Sequence, residues 1–412
     1  MNKSPRLVAL ETLYSIFYDG SYSNIALDKA LSEIKENKAF ISALVYGVTE
    51  RKITLDYFID KYAQGRIKPK VRIVLWLGVY QLLFMDKVPS SASINESVKL
   101  VKEIKQDYYS KLVNAVLHKI DNDRQIPDDL SVKYSVPENL INMWKKQYGE
   151  DVLNEFLPCI NDKPPLFAIP NKKFVNSDEL LYELECDGIL GEAYDEFVLI
   201  ENANDLTDSK AFKNGLFYIE DLSSFNCANA LDALGDDLVL DMCSAPGGKA
   251  FTISQSMNNS GKIYCYDLHE HRLNLIKNGA KRLSIDNIYT DVNDATVYNE
   301  NIPKADKILC DVPCSGFGII RRKPEIRYKD LDSVKDLPQI QYKILETSSR
   351  YLKNGGRIIY STCTLNKKEN ENVVNKFLKD HSGYKLLKDK TVFPSTVGGD
   401  GFYYAIMVKN EN

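Results

Sequence analysis

Between residues 4 and 120, apolar side chains return at three- and four-residue spacing. Leu7, Leu10, Leu13, Ile16 and Phe17 form one such set, Phe40, Ile41, Leu44, Val45 and Val48 another. That period predicts amphipathic helices. Residues 71–84 (VRIVLWLGVYQLLF) are apolar nearly all round, which predicts a buried central helix. Further helices are expected over 91–104 and 109–120, so 1–125 reads as an all-helical bundle. Residues 126–160 are polar and read as a linker with one embedded helix, 137–148. Over 161–232 short apolar runs (166–170, 197–200, 216–219) flank a helix over 177–185, predicting a small α/β module. From 233 to 412 the pattern alternates. Strands are expected at 238–240, 262–266, 287–291, 305–310, 356–360 and 403–409, and helices at 269–283, 338–352 and 369–380. Alternation of this kind predicts a mostly parallel, doubly wound sheet whose ligands lie beyond the carboxyl ends of its strands.

Composition changes this picture little. A chain of 412 residues exceeds one ordinary core, and 44% hydrophobic with 27% charged residues are the values of a globular protein. There is no apolar run of about 18 residues and no apolar signal segment near Met1, so no membrane association and a cytoplasmic location are expected. Eight cysteines without a C-x-x-C pair, and only four histidines, predict reduced thiols and no metal site. Charge is uneven. Residues 1–125 carry 19 Lys+Arg against 14 Asp+Glu, a net +5 within a chain of net −4. A polyanionic partner for the bundle fits that bias, and so does an ordinary solvated helical surface. Arg66, Lys68, Lys70 and Arg72 are its candidate contacts. No apolar heptad is evident, and a monomer is expected.

The chemistry gathers at strand ends. The first strand runs into Cys243-Ser244-Ala245-Pro246-Gly247-Gly248-Lys249, a tight turn ahead of a helix. Glycines let backbone approach a ligand, and a helix start offers free N–H groups. Neither the G-x-G-x-x-G nor the Walker spacing occurs. Asp267 stands 19 residues after Gly248 at the next strand end, where a carboxylate suits ribose hydroxyls; it also suits a helix N-cap. Asn293-Asp294 follows the third strand, in a position to meet an adenine amino group. Asp311-Val312-Pro313-Cys314 and Ser361-Thr362-Cys363 follow two neighbouring strands. Two thiols beside a carboxylate suit methylation of pyrimidine carbon 5. A thiolate added at carbon 6 makes carbon 5 nucleophilic, and a second thiol helps release the product. The bland reading is two small buried hydrophobes. Arg321-Arg322-Lys323 follows the Pro-Cys turn and reads as a phosphate-binding strip, with Tyr328 placed to stack on a base.

These motifs resemble the S-adenosylmethionine-dependent RNA cytosine-5 methyltransferases, and the whole layout is similar to the RsmB type that modifies 16S ribosomal RNA. The matching stretches are Asp241 to Lys249, Asp311 to Gly316, Arg321 to Pro324, Thr362-Cys363, and Gly398 to Tyr404. Residues 44–48, 78–84, 92–98 and 112–117 resemble the NusB-like RNA-binding bundle. The resemblance implies a Rossmann-like class I methyltransferase sheet with S-adenosylmethionine as donor. It implies Cys363 as nucleophile, Cys314 as the releasing thiol and Asp311 orienting the base. Residues 243–249 with Asp267, Asp294 and Asp311 would form the cofactor site, and Arg321, Arg322 and Lys323 would contact RNA. The partner would be 16S RNA, free or in early small-subunit particles, and the target the cytosine-967 equivalent. Transfer RNA as substrate, or a non-catalytic assembly role, are the alternatives. At 168–171 (AIPN) an Arg usual in the family, two residues before the Asn, is missing.

Overall fold

The computed structural model describes residues 3–202, 206–395 and 398–411. The chain divides into two compact units, Met1–Asn161 with Ile320–Lys329, and Asp162–Ile319 with Asp330–Asn412.

The first unit is helical. Helices Pro5–Tyr18, Ser23–Ser32, Lys38–Tyr62, Pro69–Phe84, Ser90–Glu103 and Ser110–Asp121 follow the apolar periods of the sequence. Pro69 sits at the start of its helix, where a missing N–H costs nothing. Val71, Ile73, Val74, Leu75, Trp76, Leu77 and Val79 of that helix are all buried, as an all-round apolar helix requires. Residues 126–160 correct the expectation of a linker with one helix. They hold three helices, Leu130–Tyr134, Glu138–Tyr148 and Glu150–Phe156, and bury Val136, Leu140, Trp144, Leu153 and Phe156. The Ser135 hydroxyl accepts from the Ile53 N–H at 2.9 Å, which ties this stretch to the long third helix. Its helices are short and interleaved with charge, which hid the period.

Segment Ile320–Lys329 corrects a second expectation. It is not an open phosphate-binding strip, since Arg321 is 3% exposed and Arg327 is fully buried. Ile320, Pro324 and Ile326 carry the segment inward. The Arg327 guanidinium Nη1 lies 2.9 Å from Glu50 O, 2.8 Å from Asn161 Oδ1 and 3.2 Å from Ser135 O. Tyr328 does not present a stacking face. Its ring meets Phe17 edge-on at 5.8 Å, and its hydroxyl donates to Thr49 O at 2.7 Å. Arg322 and Lys323 are half-buried, with the Lys323 ammonium 5.7 Å from the Tyr22 ring centre. Of the bundle's candidate cations, Arg72 is ion-paired to Asp56 and Asp60, while Arg66, Lys68 and Lys70 are exposed.

Arg327→Ala would leave several buried carbonyl groups without their donor. The variant is expected to lose about 3 kcal/mol of stability in the helical unit. Both tryptophans of the chain, Trp76 and Trp144, lie in that unit, so urea unfolding followed by tryptophan fluorescence reads the loss directly.

The second unit opens with a small antiparallel sheet. Strands β1 (Leu166–Pro170), β2 (Gly191–Ala193), β3 (Val198–Ile200) and β4 (Phe217–Ile219) are ordered β2-β3-β1-β4. A seven-stranded sheet follows, built from β5 (Leu238–Asp241), β6 (Lys262–Asp267), β7 (Ile288–Val292), β8 (Ala305–Asp311), β9 (Leu352–Thr362), β10 (Tyr384–Val392) and β11 (Phe402–Lys409). Its order is β10-β11-β9-β8-β5-β6-β7, parallel from β9 to β7, with β11 and β10 antiparallel. This is the doubly wound, Rossmann-like sheet expected. Beyond β5 the chain winds one way through β6 and β7, then returns to lay β8 on the other side of β5. The switch point of the sheet therefore lies between β5 and β8, where ligand sites form. The small sheet and the large one share one apolar cluster, with Phe167, Ile169 and Tyr218 packed among Phe225, Phe251 and Val239.

Candidate active site at the ends of the parallel strands

The turn after β5 is fixed by backbone. The Ser244 N–H donates to Tyr266 O at 2.8 Å, tying the turn to β6. Gly247 has φ +110°, a conformation that L side chains rarely adopt, and helix Gly248–Ser256 starts at the next residue. Arg272 spans the turn and the next strand end. It donates to Ala245 O at 2.8 Å and pairs with Asp267 at 3.0 Å. Asp267 is 4% exposed and also accepts from the His269 N–H, just before helix Glu270–Arg282, whose start has no side-chain cap; the expected N-cap role for Asp267 is not met.

A cavity of about 380 Å³ opens over this turn. Cys243, Ser244, Ala245, Pro246, Gly248 and Lys249 line it, together with Asp241, Asp311, Tyr218, Glu220, Asp221 and Arg282. Asp241 is buried, and neither of its carboxylate oxygens has a hydrogen-bond partner among the described residues; the same holds for Ser244 Oγ. Burial pushes Asp241 up to about 7. Burial likewise pushes Glu220 up to about 7, against the pull of the Lys249 ammonium and the Thr252 hydroxyl, which donates to it at 2.6 Å. Burial alone would lower Lys249, but the Asp311 and Glu220 carboxylates outweigh it and hold the ammonium charged.

These directions give a stability prediction. Glu220 holds its proton more tightly folded than unfolded. Its contribution is therefore full below the ordinary carboxylate value and is lost as pH rises through about 7. Glu220→Gln keeps the shape without the charge. We expect the variant to match the parent protein at pH 5 and to be more stable by about 2–3 kcal/mol at pH 8, as measured by urea unfolding at the two pH values.

Next to the cavity lie the two motif cysteines. Cys314 Sγ and Cys363 Sγ are 3.2 Å apart, and both residues are half-buried. Hydrogen bonding to Cys363 and burial push the Cys314 thiol well up. Asp311 is held from two sides, by Lys249 Nζ at 2.7 Å and by the Ser361 hydroxyl at 2.8 Å. Glu369 fixes the two cysteine loops to each other. It is fully buried and accepts from Ser315 N–H, Ser315 Oγ, Gln341 Nε2 and Asn366 Nδ2, all within 2.9 Å. The Gly318 N–H donates to Cys363 O, and a Cβ on Gly318 would stand 2.0 Å from Gly401 O. The close approach of three backbone stretches explains the glycine at 318.

The structure thus brings Cys243, Ser244, Ala245, Pro246, Gly248, Lys249 and Asp311 to one cavity and sets Cys314 against Cys363. Gly247, Asp267 and Asp294 are not among the residues lining that cavity. Asp294 is exposed and accepts from Thr296 N–H and Oγ1, while the neighbouring Asn293 is buried with an unpartnered amide nitrogen. Sequence reasoning missed Glu220, Asp221, Asp241 and Glu369. The first two precede the sheet, and only the tertiary fold carries them to the turn. Asp241 stood only at the head of the matching stretch 241–249, with no site role of its own. A buried Glu inside Lys367-Lys368-Glu369-Asn370 carries no signal, because such a run reads as a solvated helix start. Among the described residues no group of His, Cys, Asp or Glu is arranged to hold a metal, and no helix is long and apolar enough to cross a membrane.

Comparison with known proteins agrees with this layout. Residues 228–408 match the family described as 16S rRNA methyltransferase RsmB/F, and residues 3–122 match the NusB family. The probable ribosomal RNA small subunit methyltransferase B of Bacillus subtilis is 33% identical, over 98% of this chain and 99% of the relative. The chain belongs to the RsmB/F family. The ribosomal RNA small subunit methyltransferase B of Photorhabdus laumondii is 28% identical over 98% of both chains. The crystal structure of PH0851 has a TM-score of 0.81 at 27% identity, over 99% of this chain and 100% of that one. As a member of the RsmB/F family, this protein is a small-subunit rRNA methyltransferase with a NusB-like helical region before its catalytic sheet.

Proposed function

We propose that this enzyme methylates carbon 5 of one cytosine of 16S rRNA, the cytosine-967 equivalent, through a covalent adduct with Cys363. The reading rests on one observation above the others. Two thiols stand 3.2 Å apart at the ends of adjacent parallel strands, beside a carboxylate held by a lysine. Methyl transfer to oxygen or to an exocyclic nitrogen needs no thiol, whereas carbon 5 needs one to become nucleophilic.

S-adenosylmethionine supplies the methyl group. The residues present fit such a ligand. A cavity of this size suits a nucleoside with a short charged tail, and the unpartnered oxygens of Asp241 and Ser244 within it await a polar group. Among the lining groups the carboxylates of Glu220, Asp221, Asp241 and Asp311 outnumber the cations Lys249 and Arg282, which suits a positively charged ligand. Residues 243–249 would hold the ligand through backbone, with Asp267 on the ribose and Asp294 at the adenine end.

The Cys363 thiolate adds to carbon 6 of the cytosine, and the ring electrons move to carbon 5. Asp311 orients the base by accepting from its exocyclic amino group and is itself held by Lys249 and Ser361. After transfer a water takes the carbon 5 proton, the electrons of that C–H bond form the C5–C6 double bond, and the C6–S bond breaks to release Cys363 as a thiolate, assisted by the adjacent Cys314 thiol. The target base must be unstacked to reach the thiols. Arg66, Lys68 and Lys70 of the helical unit are the exposed cations we assign to rRNA, with Arg322 and Lys323 in support. Residues 1–125 and 161–232 then serve as RNA-binding regions for a catalytic domain over 233–412.

The test is methyl transfer from labelled S-adenosylmethionine to unmodified 16S RNA and to a transfer RNA mixture, with the product base mapped. A single labelled 5-methylcytosine in 16S RNA is expected. Label in transfer RNA alone would overturn the substrate, and label on another atom would overturn the chemistry.

A further inference from the structure

We propose that Cys314 and Cys363 form a reversible disulfide when the protein meets a hydroperoxide, a modification that switches methylation off and leaves the cofactor cavity intact. The loss of activity rests on the catalytic roles given above; the disulfide rests on geometry alone.

The two sulfurs are 3.2 Å apart and a disulfide is about 2.05 Å long, so they must close by about 1 Å. The backbone on either side already holds them together. β8 and β9 pair in register up to Asp311 and Ser361, and the Val312 N–H still donates to Ser361 O at 3.0 Å. Cys314 follows two residues later and Cys363 one residue after β9 ends. Glu369 then clamps the Pro-Cys loop to the stretch after Cys363, through Ser315 on one side and Asn366 on the other. The thiols can shift only within this frame, and the frame faces them. Both are half-buried, within reach of a molecule the size of hydrogen peroxide.

The chemistry balances. The Cys363 thiolate attacks one peroxide oxygen. The O–O bond breaks, hydroxide leaves and takes a proton to become water, and Cys363 becomes a sulfenic acid. Cys314 loses its proton and attacks the Cys363 sulfur, an S–S bond forms, and the sulfenic oxygen leaves as a second water. Two thiols are oxidised by two electrons and one peroxide is reduced. A neighbour this close captures the sulfenic acid before a second peroxide can carry it to the irreversible sulfinic state. The disulfide removes the attacking thiol and the releasing thiol at once. Neither cysteine lines the cavity at the turn after β5, so that cavity keeps its walls.

The experiment treats the full chain with stoichiometric hydrogen peroxide. Expected are a Cys314–Cys363 linked peptide under non-reducing digestion and at least a tenfold loss of methyl transfer to 16S RNA. Dithiothreitol should restore activity, and S-adenosylhomocysteine binding by calorimetry should be unchanged. In Cys314→Ser the same treatment should leave a sulfenic acid on Cys363, trapped by dimedone, and excess peroxide should then inactivate that variant irreversibly. If the parent protein is inactivated through sulfinylated Cys363 with no linked peptide, the disulfide is overturned and the catalytic reading stands. If the linked peptide forms quantitatively and methyl transfer persists, the catalytic reading fails and the switch with it.

Discussion

Cys363→Ala is expected to lose methyl transfer by on the order of 10³-fold or more while binding cofactor and RNA as the parent protein does. Without a sulfur at carbon 6, carbon 5 of cytosine does not attack a methyl group. The companion variant, Cys314→Ala, is expected to behave differently. It keeps the attacking thiol, so the adduct and the transfer still occur, but the step that expels the sulfur loses its partner. Protein should therefore accumulate on RNA as a band that survives denaturing gel electrophoresis, and multiple turnover should fall more than single turnover. The asymmetry separates the proposed roles. The two thiols share one contact, so a purely structural pair would fail alike when either half is removed. A gel band in Cys363→Ala and none in Cys314→Ala would exchange the two roles, and normal turnover in both would end the two-thiol mechanism.

The sequence carried the parallel sheet because each of its inner strands is a short apolar run closed by a polar residue that does chemistry or caps a turn. Asp241, Asp267, Asp311 and Thr362 are those closing residues, and the strand ends fall on them. β10 escaped because it is an edge strand. Lys385, Lys388, Asp389 and Lys390 cut its apolar face to Tyr384 and Leu386 at one end, and charge on an edge strand is what keeps it from pairing with another chain. The helices of 126–160 escaped because their burial is local to a few positions in a polar stretch. The misplacing of Arg321, Arg327 and Tyr328 at the surface has a different cause. Arg-Arg-Lys reads as a polyanion contact only if its side chains face water, and nothing in a string of residues says that Arg327 spends its donors on the carbonyls of Glu50 and Ser135. For the same reason the motif cysteines were legible and Glu369 was not. Nucleophiles announce themselves by chemistry, whereas a buried carboxylate that joins two loops is known only by what surrounds it.

Lys249→Met is expected to have the second largest effect, and it should be visible in both stability and catalysis. Lys249 Nζ is 2.7 Å from Asp311 and faces Glu220, with a side chain only 13% exposed. Removing one partner of so buried a pair costs about 3–5 kcal/mol, because Asp311, Glu220 and Asp241 remain in the cavity without their cation. The sign of the pH dependence follows from that. Glu220 and Asp241 already sit near 7 with the lysine present, and its loss raises them further. Protons then relieve the strain, so the deficit relative to the parent protein should be greatest at pH 8 and shrink as pH falls towards 5, in urea unfolding followed by far-ultraviolet circular dichroism. A deficit independent of pH would mean that Lys249 acts through packing on Phe402, whose ring it overlies at 5.3 Å, and not through charge. Catalysis should respond by on the order of 10²-fold or more, since Asp311 loses the 2.7 Å contact with Lys249 Nζ that holds its carboxylate in place for the amino edge of the base. Lys249→Arg keeps the charge but replaces a compact ammonium with a planar fork. It should recover most of the stability and little of the rate, which distinguishes a lysine that neutralises the cavity from one that also places Asp311 against the substrate.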